Sequence, residues 1–201
     1  MEYLVTMTTR VPDGTPDDTV DAVRAREGAR SRELAAEGHL LRLWRPPLQP
    51  GEWRTFGLFA ADDDAALEKH LASMPLRVWR TDDVTPLSPH PNDPGPRPSA
   101  PQDANAGGAE FLTTFTLTIP AGTSARLVDD TKAREAQRVH QLAEQGHLLR
   151  LWRLPGYGRS LGLWRASSTA ETDEILASLP LAGWMNVETL ALSRHPSDPG
   201  S

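Results

Sequence analysis

The chain has no cysteine, which excludes disulfides, thiolate metal sites and thiol nucleophiles. Lysine is nearly missing too. Lys69 and Lys132 are the only two, so almost all positive charge is arginine. No excess of base is present: the net charge is −6 and the isoelectric point about 5.5, so no nucleic-acid partner is expected. No apolar run is long enough to span a bilayer, and the N-terminal stretch lacks the hydrophobic centre of a secretory signal. These absences predict a soluble, cytoplasmic protein with no membrane partner. There is no glycine-rich phosphate loop, no G-x-S-x-G elbow and no paired-histidine metal spacing, so no metal is expected.

What is present is a duplication. Residues 38–45 read Gly-His-Leu-Leu-Arg-Leu-Trp-Arg, and residues 146–153 repeat them at an offset of 108. At that offset Tyr3 meets Phe111, Pro12 meets Pro120 and Glu27 meets Glu135. Beyond Arg45 the offset drops to 105, because the following loop is three residues longer in the first copy. Met74-Pro75-Leu76 then meets Leu179-Pro180-Leu181, and His90-Pro91 meets His195-Pro196. A repeat of this kind governs every later inference. It predicts two domains, 1–90 and 109–201, joined by a proline- and glycine-rich linker over 91–108.

Each copy reads as β-α-β-β-α-β. Tyr3, Val5 and Met7 alternate with threonines, the period of a strand over 3–10. Thr15-Pro16-Asp17-Asp18 reads as a helix start, with Thr15 as cap, Pro16 first in the helix and acids in the first turn. Thr123-Ser124 does the same in the second copy. Gly38 and Gly146 close these helices. Strands are expected over 40–45 and 56–60, a short helix over 63–73 and a last strand over 78–86, with copies at 148–153, 160–165, 169–178 and 184–191. This is the split-βαβ, ferredoxin-like order of an α+β protein. Two such sheets would cover each other as an internal pseudo-dimeric α/β barrel.

The sharpest chemical signal is a carboxylate on an apolar helical stripe. The stripe runs Val20, Val23, Glu27, Ser31, Leu34 in one copy and Val128, Thr131, Glu135, Val139, Leu142 in the other. A glutamate there loses solvation, its pKa rises, and it suits proton abstraction beside a carbonyl. The structural alternative is a glutamate paired with an arginine. Arg24 and Lys132, one turn earlier, are candidates for holding a substrate carboxylate or an enolate, or else plain helix-surface ion pairs. Arg42 and Arg150 lie in strands where burial demands an anion, either Glu27 or a carboxylated ligand. Trp44 and Trp152 are candidate ligand platforms but are more simply core. His39 and His147 follow the capping glycines, and His90 and His195 precede prolines; each could move protons near neutrality.

The segments Glu27, Glu37 to Arg45, Met74-Pro75-Leu76 and His90-Pro91 resemble muconolactone Δ-isomerase. So do Lys132, Glu135, Leu151-Trp152-Arg153, Gly156-Tyr157, Leu179-Pro180-Leu181 and Arg194-His195-Pro196-Ser197. The resemblance covers nearly the whole chain apart from the linker. It implies a ferredoxin-like fold with paired sheets, association into homo-oligomers, no cofactor, and an isomerisation that moves a proton and a double bond within a small unsaturated lactone acid. Glu27 and Glu135 would be the acid–base groups. Arg24, Lys132, Arg42, Arg150, Trp44, Trp152, Tyr157, His39 and His147 would bind a carbonyl- or carboxylate-bearing small molecule. Three features depart from that pattern: the chain has two copies, Pro89 replaces the arginine of Arg-His-Pro, and the first copy carries the longer loop Pro46 to Trp53. Divergence allows one active and one degenerate site. The rival readings are a cyclase or rearrangement enzyme tailoring a polyketide or aromatic intermediate, and a non-catalytic ligand-binding module.

Overall fold

The structure is a computed structural model that describes residues 1–95 and 108–200. The element order in the first repeat is β1 (Glu2–Thr9), α1 (Asp17–Ala36), β2 (Leu40–Arg45), β3 (Arg54–Ala60), α2 (Asp64–Ala72) and β4 (Arg80–Pro89). The second repeat follows with β5 (Ala109–Leu117), α3 (Ala125–Glu144), β6 (Leu148–Arg153), β7 (Arg159–Ala166), α4 (Thr169–Ala177) and β8 (Met185–Arg194). Each is βαββαβ with antiparallel pairing throughout.

Local chemistry explains the boundaries. His39 N–H bonds Leu34 O at 2.8 Å and Gly38 N–H bonds Ala35 O, with Gly38 at φ 78°. This is the left-handed turn that ends a helix and that a Cβ would disfavour. Gly146 repeats it at φ 82°. The start of α1 differs from expectation. Pro16 precedes the first helical residue, and the Thr15 hydroxyl donates to Pro12 O at 2.7 Å instead of capping the helix. Ser124, not Thr123, caps α3 by accepting from Leu127 N–H. Short 3₁₀ turns at Pro75–Trp79 and Ala182–Trp184, unanticipated from sequence, stand before β4 and β8.

Two compact units are present, Met1–Leu87 with Ser193–Ser201, and Ser88–Leu192. Their ends differ from the sequence repeats 1–90 and 109–201, because each repeat's last residues belong to the other unit. In unit 1 the sheet order is β4-β1-β3-β2, and Trp44 and Arg45 of β2 then pair with Arg194 and Ser193. In unit 2 the order is β8-β5-β7-β6, and Trp152 and Arg153 pair with Pro89 and Ser88. Of the expected linker, 96–107 lies outside the described residues; His90 to Gly95 is built into unit 2.

Each unit has its own core. In unit 1, Tyr3, Val5, Leu34, Leu40, Phe59 and Leu71 are buried together. In unit 2 the corresponding set is Phe111, Leu142, Leu148, Trp164 and Leu176. A bulge between Leu40 and Arg42, repeated between Leu148 and Arg150, breaks strand alternation. Leu40 and Leu43 are therefore both buried, and the simple parity argument for Arg42 and Arg150 does not hold.

Candidate active site

Each unit has an open cavity beside its long helix, about 500 Å³ in unit 2 and about 400 Å³ in unit 1. Glu135 lines the first and Glu27 the second. The carboxylates are set alike. Pro75 and Pro180 have no N–H, so the leucine after each proline offers a free donor at the start of a turn. Leu76 N–H donates to Glu27 Oε2 at 2.8 Å, and Leu181 N–H donates to Glu135 Oε2 at 2.9 Å.

Beyond that shared bond the two sites part. Glu27 Oε1 accepts from Arg80 Nη1 at 2.9 Å, and Arg80 is also held by Asp82 at 2.6 and 3.0 Å. Arg77 bonds the same Asp82. At the equivalent positions the second repeat has Met185 and Val187. Glu135 accordingly makes no ion pair among the described residues, and its Oε1 has no partner there, although the residue is only 8% exposed. Burial pushes the Glu135 carboxyl above the usual value, opposed only by the Leu181 N–H. Burial raises Glu27 as well, opposed by the Leu76 N–H and by the charge and hydrogen bond of Arg80.

A histidine enters each cavity from the exchanged end segment. His90 lines the cavity of Glu135, and His195 that of Glu27. Each Nδ1 accepts a backbone N–H at 3.1 Å, from Asn92 and Ser197 respectively, so the neutral ring keeps its proton on Nε2. Burial, with the nearby Arg153, lowers the His90 pKa; burial and Arg45 lower His195 to about 4. These segments are anchored by an aspartate three residues on. Asp198 accepts Leu43 N–H at 2.8 Å and the Arg42 guanidinium at 3.1 Å. Asp93 accepts Leu151 N–H at 2.8 Å and Arg150 at 3.3 Å.

Several sequence candidates therefore stand elsewhere. Arg42 and Arg150 pair with Asp198 and Asp93 rather than with Glu27. Trp44 and Trp152 are buried under those arginines, at 4.9 and 4.8 Å from ring centre to guanidinium, and line neither cavity. Tyr157 is 93% exposed at the β6–β7 loop. His39 stacks on His70 at 4.0 Å, and His147 Nδ1 lies 3.1 Å from Arg165 O. Arg24 and Lys132 do line the cavities. Arg24 lies 4.4 Å over Trp53, from the longer loop, and near Asp21 at 3.7 Å; Lys132 makes no ion pair among the described residues. Sequence reading passed over Arg80, Asp82, Asp93 and Asp198. The last two carried a signal, since His-Pro-x-Asp recurs at the offset of 105.

Two βαββαβ units, each with a glutamate of its long helix lining a cavity, define an α+β protein of the ferredoxin-like class. The muconolactone delta-isomerase family pattern matches residues 1–93 and again 109–198, so the chain belongs to that family and is an isomerase of it. Among its relatives are muconolactone Delta-isomerase 1 of Acinetobacter lwoffii, 33% identical over 92 residues, covering 46% of this chain and 93% of the relative. The muconolactone Delta-isomerase of Rhodococcus opacus is 31% identical over 90 residues, 45% of this chain and 97% of its own. Each matches one repeat's worth of chain. In fold alone, a mutant chlorite dismutase from Candidatus Nitrospira defluvii is similar across 98% of this chain and 92% of its own, at TM-score 0.63 and 11% identity.

Proposed function

We propose that unit 2 is a cofactor-independent isomerase site in which Glu135 moves a proton, and with it a double bond, in a small unsaturated lactone acid or a related carbonyl compound. The observation that carries this reading is the unpartnered Oε1 of a buried glutamate facing a cavity, its other oxygen fixed by Leu181 N–H. Burial makes the carboxylate a better base than an exposed one, and the fixed oxygen holds it in one orientation. Lys132 at the cavity rim, with Arg153 and Arg159, suits a ligand carboxylate, while Phe115, Leu151 and Leu181 suit its apolar body.

In unit 1 the ion pair of Glu27 with Arg80 occupies the oxygen that is open in Glu135. This favours a binding role for unit 1 without turnover. Association into homo-oligomers belongs to the same proposal.

The test is turnover of muconolactone by Glu135→Gln and Glu27→Gln. Glu135→Gln is expected to lose about 10²–10⁴-fold in kcat, the worth of a general base, and Glu27→Gln to lose less than twofold. Equal losses of about half would make both sites active and defeat the asymmetry.

A further inference from the structure

We infer that His90 is a catalytic residue of the unit 2 cavity, where its neutral Nε2–H holds the ligand carbonyl oxygen that becomes the enolate. His90 lines the cavity that Glu135 lines. Its Nδ1 is turned to its own backbone and accepts Asn92 N–H at 3.1 Å. The proton of the neutral ring is therefore on Nε2, at the far side of the imidazole. Nε2 makes no hydrogen bond among the described residues. The one buried side-chain nitrogen or oxygen among them that lacks a partner is Trp164 Nε1, so Nε2 of His90 is open to water. Glu135 Oε1 is open to water on the same ground. One cavity thus has a base and a donor, both reachable and both uncommitted.

The fold does not need an imidazole at this turn. Accepting the N–H two residues on is work that Asn or Asp does with a shorter side chain. The hold on β6 is made by Asp93, through Leu151 N–H at 2.8 Å and Arg150 at 3.3 Å. What histidine adds is the ring beyond Nδ1, which has no bonding task in the protein. The charged groups that line the cavity with it are Glu135 and the cations Lys132, Arg153 and Arg159. Burial and the charge of Arg153 disfavour the imidazolium, against the pull of Asp93. The ring is therefore neutral at neutral pH. It can donate without quenching Glu135 as Arg80 quenches Glu27. In unit 1, His195 is pinned alike by Ser197 N–H at 3.1 Å. Both copies keep the donor, and only unit 2 keeps its base free.

The chemistry balances. Glu135 Oε1 takes the proton from the carbon beside the carbonyl. The C–H electron pair becomes the enolate double bond, and the carbonyl π pair moves to oxygen. His90 Nε2–H hydrogen-bonds that oxygen as it gains charge and keeps its own proton. Return of the proton from Glu135 to a different carbon restores the carboxylate and the carbonyl. The inference rests on the Glu135 reading for its direction of proton flow, but not for its binding claim.

The experiment uses full-length protein with ¹⁵N-labelled histidine rings and backbone amides, in the Glu135→Gln background so that muconolactone is bound without turnover. The His90 ring signals are assigned by their loss in His90→Gln, and the Leu181 amide reports occupancy beside residue 135. The expected result is that His90 Nε2 stays protonated and shifts on addition of muconolactone, together with a shift of Leu181. If Leu181 moves at saturation and Nε2 does not, the donor inference is overturned and the Glu135 reading survives. If Nε2 moves and Leu181 does not, the donor stands and the Glu135 reading fails. If neither moves, both are overturned. Separately, in otherwise native protein, His90→Leu should lose about 10²-fold in kcat. His90→Gln, whose amide N–H can stand in for Nε2–H, should lose less. Equal losses in the two variants, or an unchanged kcat in His90→Leu, would also overturn the inference.

Discussion

A single arginine separates the two glutamates. Glu27 and Glu135 share helix position and a leucine N–H, yet Arg80 closes the carboxylate of one and Met185 leaves the other open. Installing the unit 1 pair in unit 2, Met185→Arg with Val187→Asp, should therefore lower the Glu135 pKa, read by carboxyl NMR titration, and cut turnover by about 10²-fold or more. A pKa that does not move would show that the arginine fails to reach Glu135. Both glutamates have raised pKa values, so the contribution of each falls as pH rises, but replacement by glutamine should differ between them. With its pKa raised, Glu135 binds more protons in the folded than in the unfolded chain, so its contribution falls as pH rises from the ordinary glutamate value through the raised one. Glu135→Gln should remove that loss and match or exceed the native melting temperature above the window. Glu27→Gln should cost about 1–3 kcal/mol, because it weakens a buried, hydrogen-bonded ion pair. Thermal unfolding of both variants against pH checks this.

At the scale of elements, the informative piece is the end segment His-Pro-x-Asp. It places a histidine in each cavity only because the aspartate grips a strand N–H and an arginine together. The Asp198 side chain is fully buried and that of Asp93 slightly less so, with shorter contacts to arginine for Asp198. Asp198→Ala should thus cost more stability than Asp93→Ala, about 3 kcal/mol against about 1–2 kcal/mol, in denaturant unfolding. Only Asp93→Ala should also lower turnover, since only its segment carries His90 into the cavity of Glu135. The histidines give a pH signature of the opposite sign to Glu135. The His195 pKa is lowered to about 4, so the unfolded chain binds more protons between there and the ordinary value of 6.5. Its contribution is fully present above 6.5 and is lost as pH falls through that window. His195→Asn, which can still accept the Ser197 N–H, should flatten the melting-temperature slope there without changing turnover at neutral pH.

For the whole molecule, the exchange of ends sets the expectation. Unit 1 is completed by Ser193–Ser201, and unit 2 by Ser88 to Gly95 from the first repeat. Cleaving the chain between Pro98 and Gly107 should leave the two fragments associated at micromolar concentration, because each compact unit contains strand and clamp residues from both. Fragments that sediment as separate folded monomers would contradict it. No helix among the described residues is long and apolar enough to cross a membrane.

The repeat, the βαββαβ order, the helix ends at Gly38 and Gly146 and the burial of Glu135 were legible from residue identity and spacing, whereas Glu27 is only half-buried. Each depends on local backbone preference or on the periodicity of apolar side chains, which the sequence states directly. Which group answers each buried charge was not legible. Arg80 meets Glu27 across 53 positions, Asp198 meets Arg42 across 156 and Asp93 meets Arg150 across 57. Such pairs are made by strand register, by bulges at Arg42 and Arg150 and by exchanged ends, none of which has a local signature. The tertiary structure alone decided that one glutamate is ion-paired and the other open, because burial sets the cost of a charge and only the fold brings its partner.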